Sequence, residues 1–202
     1  MPRARKTEQE IEAMRGRILD ATLELLRQEG LQGVSIRKIA DRVGVSHMLL
    51  YSYFENRAAI LHSLRERAFE HMQAFCTESL RRAEAGDALA QVRELLGRFI
   101  RLSREYPSLY QLAWRRDLAL RVDSENMSTI VEALARLIQL CIGRGQCMER
   151  DPILAAVMAF SIVNGTLILY HNVAAIGHTA RDQLETEMIE AAITYLTQQS
   201  AE

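Results

Sequence analysis

The sequence predicts an all-α protein of about nine helices, because apolar residues recur every three or four positions along most of its 202 residues. It contains no alternating apolar and polar segment long enough for a strand, no internal repeat and no low-complexity tract. Its composition, 49% apolar and 25% charged with 3 Pro and 10 Gly, is sufficient for a buried core. These proportions exclude the disordered, collagen-like and disulfide-scaffold classes of protein.

The first four predicted helices are separated by glycines and begin at capping side chains. The first helix ends at the sequence EGLQG, where two glycines stop it. Ser35 caps a short helix that ends at Gly44, Ser46 caps a second short segment, and Asn56 begins a long helix. The first helix and the long helix carry apolar stripes, formed by Ile11, Met14, Ile18, Ala21 and Leu25 and by Ile60, Leu64, Ala68, Met72 and Phe75.

The remaining predicted helices alternate with breaks in the same way. One helix lies between the sequences AEAGDA and EYP, and the next runs from Pro107 through Trp114. The sequence IGRGQ closes a third, the sequence DP at 151–152 opens an uncharged helix, and RD at 181–182 precedes the last helix. The apolar stripes of this part are Leu89, Val92, Leu96 and Phe99, then Ile130, Leu134, Leu137 and Cys141, then Met188, Ala192 and Tyr195.

The uncharged segment allows two interpretations. Residues 152–180 are 29 positions without a formally charged side chain, which is long enough to span a bilayer. The segment also contains polar residues, among them Ser161, Asn164 and His171, and no basic cluster flanks it closely. We favour a helix that is buried on all sides within the protein or a dimer over a membrane span.

The charge of the chain is nearly balanced but unevenly distributed. The net charge of −1 gives no overall basic field, so any signal for nucleic acid must be local. The charge is +2 up to residue 57 and −3 beyond it, and Arg3, Arg5 and Lys6 lie in the first six residues. This asymmetry indicates that the first part of the chain meets an anion.

The three cysteines are odd in number and lack C-x-x-C spacing, which favours a reduced, cytosolic chain. The first residues lack the apolar region of a signal peptide, so we expect a cytoplasmic protein. Cys141 and Cys147 could form a redox pair across the sequence IGRG, although core and loop thiols are the simpler interpretation.

Patterns that carry catalysis are absent from the sequence. It has no Glu-x-x-His pairs of a di-iron bundle, no zinc-ligand spacing, no glycine-rich phosphate loop and no nucleophile elbow. We therefore expect no enzymatic activity, no metal and no cofactor.

Residues 35–54, SIRKIADRVGVSHMLLYSYF, have the spacing of a helix-turn-helix. Gly44 suits the left-handed position of a tight turn, and the small side chain of Ala40 lets the two helices cross closely. Such a motif presents its second helix to the major groove of DNA. The alternative, an ordinary helical hairpin, needs neither small residue at these positions. The apolar contacts that would fix the crossing angle come from Ile36, Ile39, Val43, Val45 and Leu50.

The segments RGRILDATLELLRQEG, IRKIADRVGVS and LYSYFENRAAIL, in this order, resemble the N-terminal domain of TetR-family transcriptional regulators. The resemblance covers about residues 11–72, which we predict to be a DNA-binding domain. Residues 73–202, predicted to be a helical regulatory and dimerisation domain, resemble the family only in length and helical layout. The match is carried by Ile18, Leu19, Ala21, Gly30, Ile39, Ala40, Gly44, Val45, Ser46, Leu50, Tyr51, Phe54, Arg57 and Leu61.

The resemblance implies contacts with double-stranded DNA at Ser35, Arg37, Lys38, Ser46, His47, Met48, Tyr51, Tyr53 and Arg57. Ser46, His47 and Met48 would face the bases, and the hydroxyls of Tyr51 and Tyr53 would contact phosphates. The basic residues at 3, 5 and 6 would form an arm that adds salt-sensitive affinity. The sequence departs from the family at Met48 and Leu49, where the family often has a small residue and a hydroxyl, so the operator sequence does not carry over.

The resemblance also implies that the last two helices pair with those of a second copy in a four-helix interface. A dimer of this kind would cover the uncharged helix on both faces, so we expect no membrane partner. Two recognition helices related by a two-fold axis predict a pseudo-palindromic operator.

The middle helices would enclose an effector, which we expect to be a mostly apolar small molecule. An aromatic stripe at helical spacing also fits an ordinary core, so the wall of this site stays open. The candidate wall residues are Phe99, Tyr110, Trp114, Met127, Met158, Phe160, Asn164, Tyr170 and His171.

These observations together predict a homodimeric, ligand-responsive repressor of transcription. An activator, or a regulator that responds to a protein partner, is the alternative within the same class. The alternative outside it is an all-α ligand-binding or membrane-associated protein that does not read DNA.

Overall fold

The computed structural model describes residues 7–114, 124–172 and 181–198, and within these residues the chain forms nine α-helices and no strand. This confirms the all-α prediction. The helices are α1 (Glu8–Gly33), α2 (Ile36–Val43), α3 (His47–Tyr51), α4 (Arg57–Ala85), α5 (Ala88–Glu105), α6 (Pro107–Trp114), α7 (Ser124–Gly143), α8 (Pro152–Asn172) and α9 (Arg181–Thr197).

Helix α1 ends at Gly33, the second of the two glycines predicted to stop it. It begins with a capping box, in which the Thr7 hydroxyl accepts from the Glu10 N–H and the Glu10 carboxylate accepts from the Thr7 N–H. The predicted stop at Gly30 is a kink with φ 68° and ψ −176°, after which a further turn continues to Gly33. The glycine therefore changes the direction of the helix, and Val34 ends it.

The first of two compact units contains the described residues up to 68 together with 108–114. Helix α2 packs against both α1 and α3. The core of this unit is closed by fully buried aliphatic side chains from four helices, Ile18, Leu26, Ile39, Ala40, Leu50, Ile60 and Leu61. Since α2 has eight residues and α3 five, neither is long enough to be stable alone, and this packing holds them in place.

The connection between α2 and α3 is a tight turn that begins at Gly44. This residue has φ 76° and ψ 38°, a left-handed conformation that suits glycine. The N–H groups of Gly44 and Val45 both donate to the Ala40 carbonyl, at 2.9 and 3.0 Å. Ala40 is itself fully buried, so the predicted close crossing of the two helices is present.

The second unit contains residues 69–107 together with the described residues beyond 123. Helix α8 lies at its centre, packed against α5, α7 and α9. Its inner side presents the fully buried methyl groups of Ala155, Ala156 and Ala159, which allow close approach of the neighbouring helices. Phe160 meets Phe99 of α5 edge to face, with ring centroids 4.9 Å apart.

The outer side of α8 is apolar and open within a single chain. Its exposed large side chains are Ile153, Leu154, Val157, Met158, Ile168 and Leu169, referred to below as the α8 stripe. Among the described residues, α8 is the one helix long and apolar enough to cross a membrane. Length and composition alone do not separate such a span from the core or interface helix of a soluble protein.

Replacement of Gly44 by alanine should destabilise the protein by about 1 kcal/mol, because a Cβ strains the left-handed conformation. Gly16 is the matched control, since it lies within α1 in helical conformation with open space around its Cα. Gly16→Ala should instead stabilise by up to about 1 kcal/mol. Urea unfolding followed by circular dichroism measures both changes, and equal midpoints for the two variants would contradict the assigned turn.

Candidate nucleic-acid interface

Arg57, the first residue of α4, holds the connection between α1 and α2. Its Nε donates to the Val34 carbonyl at 2.8 Å and its Nη2 donates to the Leu31 carbonyl at 2.6 Å. Both carbonyls lie where the chain leaves α1 and approaches α2. Because a guanidinium presents several donors in a fixed plane, one side chain can fix this chain reversal.

Two arginines of α1 hold the main chain around α3. Arg17 donates to the carbonyl of Val43, the last residue of α2, at 3.0 Å. Arg15 donates to the Tyr53 carbonyl at 2.6 Å, and its guanidinium lies 4.2 Å from the centre of the Phe54 ring. The segment from the end of α2 to the start of α4 is thus tied to α1 at both ends.

The outward face of α3 carries side chains that its own unit does not use for packing. Met48 is 85% exposed and Tyr51 is 54% exposed, while His47 is exposed as well. Leu50 of the same helix is fully buried. Helix α3 therefore has one face in the core. Its other face is available to a partner and carries an apolar, an aromatic and an imidazole side chain.

The two predicted serines are helix caps. The Ser35 hydroxyl accepts from the Lys38 N–H at 3.3 Å, and the Ser46 hydroxyl accepts from the Leu49 N–H at 3.2 Å. Each hydroxyl keeps its own proton as a donor, so capping is compatible with a phosphate contact. The predicted DNA contacts of both serines stay predictions.

The two predicted basic residues of α2 differ in their surroundings. The Arg37 side chain is 82% exposed, and its ion pair with Asp41 is long, at 3.9 Å. The Lys38 ammonium instead forms a close ion pair with Glu29 of α1. A surface pair of this kind contributes little to stability, so Lys38 can exchange Glu29 for a phosphate.

The structure gives Tyr53 and Arg57 roles that the sequence did not reveal. The Tyr53 side chain is only 8% exposed, and the Arg57 guanidinium is committed to the two main-chain carbonyls. Both residues lie where they hold the unit together, and their predicted phosphate contacts stay predictions. The clamps of Arg15 and Arg17 were missed, because apolar periodicity carries no information about donors to main-chain carbonyls. The predicted arm at residues 3, 5 and 6 lies outside the described residues.

In the second unit, two of the predicted effector residues line a small cleft. Tyr170 and His171, near the end of α8, form one wall of a cavity of about 200 Å³. Arg104 of α5 and Glu185 of α9 lie opposite and form an ion pair at 3.6 Å. The cleft is completed by Ser103, Pro107, Leu167, Leu184 and Met188, so apolar and charged groups share its lining.

The other predicted effector residues do not gather around this cleft. Met158 is 41% exposed and belongs to the α8 stripe, so its assignment to an inner wall was wrong. Its spacing from Leu154 places it on the outward side of the helix. Phe99 and Phe160 pack against each other, Asn164 is half-buried on α8, and Tyr110 is buried in the first unit. The side chains of Trp114 and Met127 lie outside the described residues.

Comparison with known proteins shows where this arrangement of helices occurs. Residues 18–64 match the family described as bacterial regulatory proteins, tetR family. An uncharacterised HTH-type transcriptional regulator from the dhlA 5′ region of Xanthobacter autotrophicus is 30% identical over 148 residues, which cover 62% of this chain and 73% of that protein. This chain belongs to the TetR family. It is therefore a DNA-binding transcriptional regulator, and the family prediction from the sequence is confirmed.

Two further comparisons define the extent of the likeness. The class A tetracycline repressor from transposon 1721 of Escherichia coli is 41% identical over 49 residues, 24% of this chain, and the match spans only 23% of that repressor. The crystal structure of FadR from Bacillus subtilis in complex with stearoyl-CoA has a TM-score of 0.70 at 22% identity, covering 90% of this chain and 98% of FadR. The shared fold thus extends over 90% of this chain, whereas the family match spans residues 18–64.

Replacement of Arg57 by alanine should destabilise the protein by about 2 kcal/mol, because two carbonyls lose a charged donor. Arg57→Lys should recover only part of the lost stability, since an ammonium cannot present two donors in the fixed plane of a guanidinium. Arg37→Ala is the control, because that side chain is exposed, and it should change stability by less than about 0.5 kcal/mol. Thermal unfolding of the three variants decides the matter, and an Arg57→Ala variant as stable as Arg37→Ala would refute the clamp.

Proposed function

We propose that this regulator is a cytoplasmic, homodimeric repressor that binds a pseudo-palindromic operator and releases it when a small molecule binds. Residues 11–72 act as the DNA-binding domain and residues 73–202 as the regulatory and dimerisation domain. The observation that carries the proposal is the division of α3 into a buried face and an outward face with Met48 and Tyr51. Large exposed side chains on a helix this short are explained by a partner surface.

The outward face of α3 suits the major groove of DNA. The methyl and thioether of Met48 can contact the C5-methyl group of thymine, and the His47 ring can hydrogen-bond to a base edge. The Tyr51 hydroxyl can donate to a phosphate, which positions the helix without reading sequence. The positive charges of Arg37 and Lys38 on α2 would attract the phosphates of DNA of any sequence.

Variants of α3 should separate base reading from phosphate binding. Tyr51→Phe should weaken binding to every DNA sequence by roughly three- to tenfold, since it removes one hydrogen bond. His47→Ala and Met48→Ala should change the ranking of sequences, because each removes a contact that depends on the base. The measurement is selection of an operator from a random DNA pool, followed by fluorescence anisotropy across a salt series.

A matched DNA substitution tests the methionine directly. Deoxyuridine in place of thymidine removes only the C5-methyl group of the base. This substitution should weaken operator binding by the parent protein and leave operator binding by the Met48→Ala variant nearly unchanged. Equal, salt-dependent binding of the parent protein to operator and scrambled DNA would overturn the proposal of sequence-specific repression.

The α8 stripe supports dimerisation. It places Leu154, Val157, Met158, Ile168 and Leu169 along one side of a 21-residue helix, and a contiguous exposed apolar surface of this kind is typical of an interaction site. Ser161 and Gly165, both small, lie between them and would let a second helix approach closely. A two-fold axis through this stripe makes the surface self-complementary, as homodimers require.

A charge placed in the stripe should break the dimer. Leu154→Glu and Leu169→Glu should each raise the dimer dissociation constant at least about tenfold, because a carboxylate would be buried without a partner. Ala74→Glu introduces the same charge at an exposed position of α4 outside the stripe and should leave the dimer intact. Sedimentation velocity over a concentration series measures this. A parent protein that is monomeric at micromolar concentration would refute the interface.

The cleft at Tyr170 and His171 supports an effector with an apolar body and a few polar handles. Arg104, Glu185 and His171 supply polar groups among aliphatic side chains, and the volume of about 200 Å³ limits the part of an effector that fits there to a compact group. FadR, which shares the fold, was crystallised with stearoyl-CoA. The Tyr170→Ala variant should need a higher effector concentration than the parent protein for release from DNA. If both proteins are released at the same effector concentration, the effector binds elsewhere.

Effector binding changes DNA affinity only if the effector prefers one arrangement of the dimer. Effector affinity must therefore be higher for the dimer whose two α3 helices do not match successive major grooves. An activator would show the opposite linkage, with the effector strengthening operator binding in the same anisotropy assay.

A further inference from the structure

The chain reverses direction directly after α7. The Gln146 N–H donates to the Cys141 carbonyl at 2.8 Å, and the Gly145 N–H donates to the Ile142 carbonyl at 2.9 Å. Gly145 has a φ of 68°, so these bonds form a Schellman motif with its left-handed residue at the expected position. The motif folds the following residue, Cys147, back over the last turn of α7, where Cys141 lies.

The turn brings two thiols together in a largely dry environment. Cys141 is fully buried and Cys147 is 8% exposed, and the Cys141 thiol is hydrogen-bonded to the Cys147 sulfur. This bond stabilises the thiolate of Cys147 and lowers its pKa, whereas it raises the pKa of Cys141. The two thiols therefore differ in accessibility and in the ease with which each forms a thiolate, and Cys147 is favoured in both respects.

Cys76 provides the contrast within the same chain. It is buried on α4, and the loss of hydration there raises its pKa to about 11. A thiol in this condition is inert toward oxidants. The pairing after α7 is thus a local property of the turn and not of buried cysteines in general.

The loop that holds the pair also ties together the ends of neighbouring helices. Arg144 donates to three carbonyls in residues 83–86, at the end of α4, over 2.5–3.0 Å. The Gln146 side chain donates to the carboxylate of Asp87, the N-cap of α5, at 2.8 Å. A disulfide between residues 141 and 147 would fix the loop that contacts the end of α4 and the start of α5.

We propose that Cys141 and Cys147 are a redox-active dithiol that a hydroperoxide converts to an intramolecular disulfide. The Cys147 thiolate attacks the hydroperoxide, the O–O bond breaks, and the departing alkoxide takes the proton that the thiol had released and leaves as the alcohol. The Cys141 sulfur then attacks the sulfenic acid of Cys147, and the S–O bond breaks. The hydroxide leaves as water with the Cys141 proton. Two thiols are oxidised and one hydroperoxide is reduced.

The sequence makes the product simple to detect. Trypsin cleaves after Arg144, between the two cysteines, and so separates peptide 137–144 from peptide 145–150. The full-length protein is treated with a small excess of hydrogen peroxide, its remaining thiols are alkylated, and it is digested without reductant. We expect the two peptides to remain joined, two hydrogen atoms lighter than their sum. Free thiols should fall from three to one, and dithiothreitol should reverse both changes.

Three variants define the site. Cys76→Ser should still form the joined peptide, whereas Cys141→Ser and Cys147→Ser should not. Dimedone should trap a sulfenic acid at Cys147 in Cys141→Ser, which reports the order of attack. If that variant does not fold, the joined peptide of the parent protein still decides the proposal.

Several results would overturn it. These are three unreacted thiols after peroxide treatment, reaction of Cys76 at the same rate, a disulfide between chains only, or sulfinic acid at Cys147 without a cross-link. The test uses no DNA and no effector, so its failure would leave the proposed repressor function untouched. Failure of operator binding would equally leave the dithiol in place.

Discussion

Hydrogen bonds from arginine side chains to main-chain carbonyls fix the first unit wherever its chain changes direction. Arg57 holds the passage from α1 to α2, Arg17 the end of α2, and Arg15 the segment after α3. A charged donor makes each of these bonds stronger than a neutral one. Because α3 has only five residues, its position comes from these bonds and from the burial of Leu50, not from its own helical stability.

This arrangement separates the residues that shape the unit from those that would read DNA. The clamps and the core lie on the inward side, whereas His47, Met48 and Tyr51 lie outside and contribute little to packing. A change of sequence preference therefore need not cost stability. The match to the tetR family spans residues 18–64, which contain the helix-turn-helix, where backbone geometry must be kept.

The sequence predicted the helices well because each boundary is a local event. Ser35, Gly44 and Ser46 act through bonds to residues within five positions, which periodicity and cap preferences can recognise. The role of Arg57 depends on carbonyls more than twenty residues away, so nothing local reveals it. Met158 was misplaced for a related reason, since an apolar residue on an all-apolar helix gives no sign of which side faces inward.

Helix α8 shows the limit of composition most clearly. Both of its sides are apolar: the buried side carries alanines together with Phe160, Val163 and Leu167, and the exposed side carries leucine, isoleucine, valine and methionine side chains. The buried alanines allow close approach of the neighbouring helices, while the exposed large side chains supply area for a further surface. Hydropathy does not distinguish these two sides, and the packing of the folded chain does.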